Sequence, residues 1–291
     1  MKYRITHTTQ YDYYEPVSLC HNIARLVPRS TITQQCSKTN ITIHPEPDVW
    51  NEYEDYFGNK VIYFAIEQEH KKLTVIAVSE IEKKDIPKEP VGNASPISWE
   101  EVKKQIQESA TEYLDIRQFI PETPFTSSNA EIVQYALQSF TAGRAFEEAV
   151  QHLNTRIYSD FEFKPGFTTI STPLSVVMKQ RKGVCQDFAH LAIACIRAMG
   201  LPARYVSGYI ETLPPPGKEK MVGVDASHAW FSVFDPVNGW MDFDPTNNQQ
   251  PDDQHIIVGW GRDYADITPL KGIISSSGPH ELSVAVDVKR L

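Results

Sequence analysis

Three residues of this chain could together do nucleophilic chemistry: Cys185, His228 and Asp244. A thiolate attacks carbonyl carbon, an imidazole beside it takes up and returns a proton, and a carboxylate on the far ring nitrogen fixes the tautomer. In the chain order cysteine, histidine, aspartate they supply the parts of an acyl-transfer triad. Taken alone, Cys185 is one thiol among four, and a free cysteine is more often a small buried hydrophobe than a nucleophile. Cys195, set among Leu191, Ala192, Ile196 and Met199, reads in that ordinary way.

Position separates the two. The stretch from Gly183 to Gly200 reads as a helix with a glycine before it and a glycine closing it, so Cys185 stands at its start. Unbonded backbone N–H groups and the positive end of the helix dipole gather there, favouring a thiolate and offering donors to an oxyanion. The stretch from Ser227 to Thr246 reads as two strands, aromatic and β-branched, around the turn residues Asp235, Pro236, Asn238 and Gly239. Folding that hairpin about position 236 sets His228 directly opposite Asp244, with Cβ atoms about 5 Å apart. A register slip offers Asp242 on the same face, so both carboxylates stay open as partners of His228.

The elements that must hold these residues follow from periodicity. Residues 1–84 read as β structure: Tyr3 to Thr6 alternates, and Val61–Ile66 and Leu73–Val78 read as the two arms of a hairpin, preceded by turn residues Tyr56 to Lys60. Residues 83–98 carry three prolines and little apolar periodicity, the composition of a connector. Beyond it, Ser98 with Glu101 forms a capping-box pattern ahead of an apolar stripe of Trp99, Val102, Ile106, Tyr113 and Leu114, and Ser128 with Glu131 repeats the signature. Phe146, Ala149, Val150, Leu153 and Ile157 predict a helix over 144–157; Thr172 and Pro173 open a short one that ends near Lys182 and Gly183. The expected organisation is an N-terminal β domain over 1–84, a connector with helices over 85–130 and a catalytic domain over 131–291.

Twenty-eight Lys and Arg against 37 Asp and Glu give a net charge of −9, which argues against nucleic acid or anionic lipid as partners. No apolar run approaches a membrane span and the first residues are polar, so the expectation is a soluble, cytoplasmic protein. Cys20 and Cys36 read as reduced structural thiols. A metal set of Cys185, His190, His228 and Asp244 lacks the short spacings of zinc sites, and no calcium loop is present; no metal or cofactor is expected. Arg262, Asp263, Tyr264 and Asp266 read as bracing of the active-site hairpin, with lining of the substrate cleft as the alternative, and Tyr158 is a candidate second oxyanion donor.

Three segments together resemble the bacterial branch of the transglutaminase-like superfamily: Gly183 to Ala189 is similar to its cysteine motif, Ser227 to Trp230 to its histidine motif, and Gly239 to Thr246 to its aspartate motif. Leu201 to Tyr209 and Gly259 to Tyr264 extend the likeness. The resemblance implies an α+β, papain-like core with the cysteine helix packed on an antiparallel sheet, behind an N-terminal antiparallel β domain. It assigns the third role to Asp244 rather than Asp242. It implies a cysteine amidase or protease acting on a protein or peptide through a thioester; the alternatives are crosslinking through an amine acceptor, or a non-catalytic binding module. Oligomeric state is not legible. Substrate choice would rest on loops such as 212–217.

Overall fold

The computed structural model describes residues 1–84, 97–109, 111–212, 226–276 and 278–291. Strands β1 (Lys2–Val17), β2 (Leu19–Ala24), β3 (Gln34–His44), β4 (Val49–Glu54), β5 (Lys60–Ile66) and β6 (His70–Lys83) lead into helices α1 (Trp99–Glu108), α2 (Leu114–Arg117), α3 (Ala130–Leu137) and α4 (Phe146–Asp160). Next come β7 (Glu162–Phe163), α5 (Leu174–Gln180), β8 (Lys182–Gly183) and α6 (Cys185–Ala198), then β9 (Ala203–Ile210), β10 (Ala226–Asp235), β11 (Gly239–Phe243) and β12 (His255–Gly261). Two last strands, β13 (Leu270–Ser275) and β14 (His280–Arg290), close the chain.

The first β region is a sandwich of two antiparallel sheets, ordered β14-β1-β6-β3 and β13-β2-β5-β4. Tyr3, Ile5, His7 and Thr9 point inward from β1 while Lys2 and Arg4 face out, the period of two that the sequence carries. The expected pairing of Val61–Ile66 with Leu73–Val78 is corrected: β5 pairs with β2 and β4, and β6 with β1 and β3. Residues 67–69 carry the chain from one sheet to the other, so Phe64 and Ile66 meet Leu73 and Val75 across one core. The hairpin at Tyr56–Lys60 instead joins β4 to β5. The boundary expected at 131–291 also changes, because β13 pairs with β2 and β14 with β1, returning the last strands to the sandwich.

The second body is an α+β core. Its sheet, β11-β10-β9-β12, lies against α6. Leu191, Ala192 and Cys195 of α6 are buried with Ala229, Phe231 and Val233 of β10 and with the inner faces of α1, α3, α4 and α5. A smaller cluster of Tyr3, Ile5, Ile81 and Val288 with Tyr209, Ile256 and Val258 joins the sandwich to this sheet. Ser98 caps α1, its Oγ accepting from Glu101 N at 3.2 Å. The second cap shifts by one residue: Asn129 Oδ1 accepts from Ile132 N at 2.9 Å, while Ser128 donates to Glu122. Thr172 likewise serves the preceding turn, accepting from Thr169 N, and α5 ends at Arg181 in the left-handed region. The connector at 85–96 and residues 213–217 of the expected substrate loop lie outside the described residues.

Two buried histidines contribute to how the fold responds to acid. Burial lowers His7 to about 4, and burial together with the Arg197 charge lowers His190 to about 3. Both pKa values are depressed from 6.5, so below that pH the unfolded chain binds protons that the folded chain refuses. Stability is then lost as pH falls from 6.5 towards 4. Each histidine is expected to cost roughly 2 kcal/mol by pH 5, read as a lower urea midpoint than at pH 7. Replacing His190 by Gln should flatten that dependence; an unchanged slope would refute the assignment.

Candidate active site

The helix that carries Cys185 is fixed from both sides of its first turn. β8 pairs in parallel with β7, and Lys164 N donates to Gly183 O at 2.8 Å, so the chain enters α6 along a defined line. Asp187 folds back to accept from Val184 N at 2.8 Å and from Thr168 Oγ1 at 2.6 Å. Gly183 makes room for this: a Cβ there would lie 2.9 Å from Asp187 Oδ2 and 3.2 Å from the Phe188 ring. Cys185 is half-buried at the helix start, while Cys195 is fully buried and pushed up to about 12 by that burial. Thus α6 presents one thiol and hides the other.

His228 lies on β10, buried beside the Cys185 thiol and Asp244. Its Nε2 is 2.8 Å from Asp244 Oδ2, and the Cys185 thiol lies near enough to raise the ring's pKa. With Nε2 committed to the carboxylate, Nδ1 is the nitrogen left for the thiol. Burial pulls the His228 pKa down, but hydrogen bonds to Asp244 and Cys185 outweigh it and raise the group to about 10. Burial opposes the charge on Asp244 too, yet hydrogen bonds from His228, His255 and Asn247 hold it well below the usual carboxylate range. Asp244 is fully buried and its Oδ1 accepts from Thr246 N at 2.9 Å.

The structure brings the three residues together by a register other than the expected one. β10 pairs with β11 as Phe231 with Phe243, Ser232 with Asp242 and Asp235 with Gly239, which places Asp244 two residues short of the position opposite His228. The turn decides this. Asp235 Oδ1 accepts from Val237 N at 2.6 Å and from Asn238 N at 3.2 Å, and Gly239 takes φ +72°, so residues 236–238 form a three-residue loop. A shift of two keeps the same sheet face, and His228 and Asp244 still meet. Asp242 sits opposite Ser232, away from His228.

Sequence reasoning missed His255. This histidine opens β12, is 1% exposed, and places Nε2 3.1 Å from the same Asp244 Oδ2. The segment 245–254 wraps round the end of the sheet to deliver it, since β11 and β12 are opposite edge strands. Its carbonyl accepts from the buried Lys83 Nζ at 2.6 Å, which ties the sandwich to the site. Trp230, fully buried, lies edge-on to His255 at 5.2 Å, and Gly208 lets it in: a Cβ there would sit 2.5 Å from the indole. The ligand atoms of His228, Asp244 and His255 all lie within 4.8 Å of one another, a spacing used here for hydrogen bonds to one carboxylate.

The remaining candidates lie elsewhere. His190 stacks between Phe125 and Tyr205 and accepts from Tyr264 N at 3.1 Å. Arg262 and Asp266 form a two-bond ion pair at 2.9 and 3.0 Å, and Asp263 accepts from Ala265 N. Tyr158 is 51% exposed on α4, and its hydroxyl has no hydrogen bond among the described residues. No helix among the described residues is long and apolar enough to cross a membrane.

Comparison with known proteins matches two family models, described as the bacterial transglutaminase-like N-terminal region over residues 3–82 and the transglutaminase-like superfamily over residues 133–245. The uncharacterized protein Rv2569c of Mycobacterium tuberculosis is 41% identical over 299 residues, spanning 99% of this chain and 92% of its own. A protein-glutamine gamma-glutamyltransferase of Pseudomonas aeruginosa is 32% identical over 93 residues, 32% of this chain and 14% of that protein. The solved structure of a candidate cysteine protease from Cytophaga hutchinsonii has a TM-score of 0.75 at 21% identity, covering 99% of this chain and 90% of that one.

Proposed function

This chain belongs to the transglutaminase-like superfamily, with a bacterial transglutaminase-like N-terminal region, and from that premise we propose that it cleaves amides of a peptide or protein through a Cys185 thioester. The observation that carries the reading is His228, beside the Cys185 thiol and bonded through Nε2 to a buried carboxylate. In the proposed cycle the Cys185 thiolate adds to the amide carbonyl. N–H groups of the first turn of α6, which have no partner within the helix, are the donors for the oxyanion. His228 gives its proton to the departing amine as the C–N bond breaks, leaving an acyl thioester on Cys185. Water then attacks the thioester, with His228 taking its proton, and the acid and free thiolate are released. Asp244 acts through His228, holding its tautomer and supporting the imidazolium.

The pH dependence of Cys185 alkylation by iodoacetamide tests the pair. A thiolate beside imidazolium should react rapidly at pH 6, whereas an ordinary thiol reacts slowly until pH approaches about 8.5. Because the contributions of Asp244 and Cys185 outweigh the lowering by burial and raise His228 to about 10, amide turnover should persist on the alkaline side until pH approaches that value. Slow alkylation at pH 6 would sink the proposal.

A second reading has an amine as acceptor, favoured by the 93-residue match to the gamma-glutamyltransferase. Incubating glutamine-containing peptides with and without a primary amine, followed by mass spectrometry, separates the two. Hydrolysed product alone supports the first reading, and amine adducts support the second.

A further inference from the structure

Along β10 from His228 lies a cavity lined by none of Cys185, His228 and Asp244. It measures about 780 Å³, a size that suits small ligands, and its walls include Phe57 from the sandwich and Phe119, Trp240 and Trp260 from the core. Arg204 and Asp242 line it as well. Arg204 pairs in register with Ser232, four residues beyond His228 on β10, so the cavity lies about 13 Å along the sheet from the histidine.

Arg204 is 8% exposed, yet no oxygen among the described residues accepts a hydrogen bond from it. Its guanidinium carbon lies 4.1 Å over the Trp240 ring and 4.0 Å over the Trp260 ring. Stacking of this kind occupies the faces of the guanidinium and leaves its in-plane N–H edge as the bonding surface. Ser232 Oγ and Asp242 Oδ1, the next positions across the sheet, also have no partner among the described residues. Three adjacent strands therefore contribute unmet polar groups at one level of the sheet. Buried polar groups are ordinarily satisfied, and here the Asp242 carboxylate balances the Arg204 charge without accepting a hydrogen bond from it. The neighbouring arginine does not compete, since Arg29 is spent on Phe57 O at 2.6 Å and Asn59 Oδ1 at 2.9 Å.

We propose that this cavity is a binding site for a small carboxylate that also carries an N–H donor, as in an amino acid or a peptide C-terminus. The carboxylate accepts from the in-plane edge of Arg204, the N–H donates to Asp242, and an apolar side chain rests on Trp240 and Phe119. The polarity of the cavity selects this class: Asp115 and Asp242 line it together with Arg204, so a phosphate or dicarboxylate would meet two like charges.

Two tryptophans in the wall make intrinsic fluorescence of the full chain the readout. L-phenylalanine, N-acetyl-L-phenylalanine and N-acetyl-L-phenylalaninamide are titrated in parallel. Saturable binding of the first two is expected, with the amide at least about tenfold weaker because it offers no carboxylate to Arg204. The first two arms separate an ammonium donor from an amide donor. Arg204→Gln should weaken carboxylate binding by a similar factor while its thermal melt stays cooperative. Should that variant fail to fold, Asp242→Asn serves: L-phenylalanine should bind severalfold more weakly. Equal binding of the amide, undiminished binding in the folded Arg204→Gln or Asp242→Asn variant, or no saturable signal from any probe overturns the proposal.

Discussion

Cys185→Ala is expected to lower amide turnover by roughly 10⁴-fold or more, with the thermal melt nearly unchanged. The thiol is half-buried at a helix end and makes no packing contribution comparable to that of the fully buried Cys195, so its loss should affect chemistry rather than folding. His228→Gln should fall to a similar rate, because without the imidazole neither thiolate formation nor protonation of the departing amine is assisted. The two changes act on one unit, and the double variant should be little slower than either single one. Steady-state hydrolysis of a peptide anilide, with circular dichroism to verify folding, measures all three. If Cys185→Ala kept more than a tenth of the activity, the nucleophile would lie elsewhere.

The second large effect concerns the carboxylate and its two histidines. Asp244→Asn should reduce turnover by on the order of 10³ to 10⁴, because an amide can present its NH₂ to His228 Nε2 and trap the wrong tautomer. It should also remove a pH dependence. With Asp244 held below the usual range in the folded chain, the aspartate contributes stability that is present above about pH 4 and is lost as pH falls. His255 acts on the same oxygen, 3.1 Å away, without touching the thiol, which makes it a positioning residue. His255→Phe removes one charge-assisted hydrogen bond, and turnover should fall by about 10- to 100-fold. The acid limb of Cys185 alkylation should move to higher pH at the same time, as Asp244 becomes easier to protonate. Gln at position 255 keeps an N–H donor and should restore most of both. A mere packing role would leave the acid limb in place.

These outcomes depend on geometry that the sequence discloses unevenly. Cys185 was legible because helix periodicity and flanking glycines are local: Gly183 and Gly200 bracket α6 within a residue or two of its ends. His228 and Asp244 were legible because alternation along a strand preserves the face even when the register moves by two. The register itself was not, since it turns on the Asp235 side chain bonding to the loop backbone and on the left-handed Gly239. The β5 and β6 strands were recognisable, but whether successive strands pair or face each other across a sandwich depends on where their neighbours lie.

By itself, then, the sequence determined the helix that exposes Cys185, the hairpin face that carries His228 and Asp244, and the β character of residues 1–84, because each rests on local periodicity. Only the tertiary structure decided the return of β13 and β14 to the sandwich, the approach of His255 to Asp244 and the stacking of Arg204 on Trp240 and Trp260. Each of those is set by the path of the chain between elements. Such a path is chosen by burial summed over the whole molecule, which no local pattern of residues records.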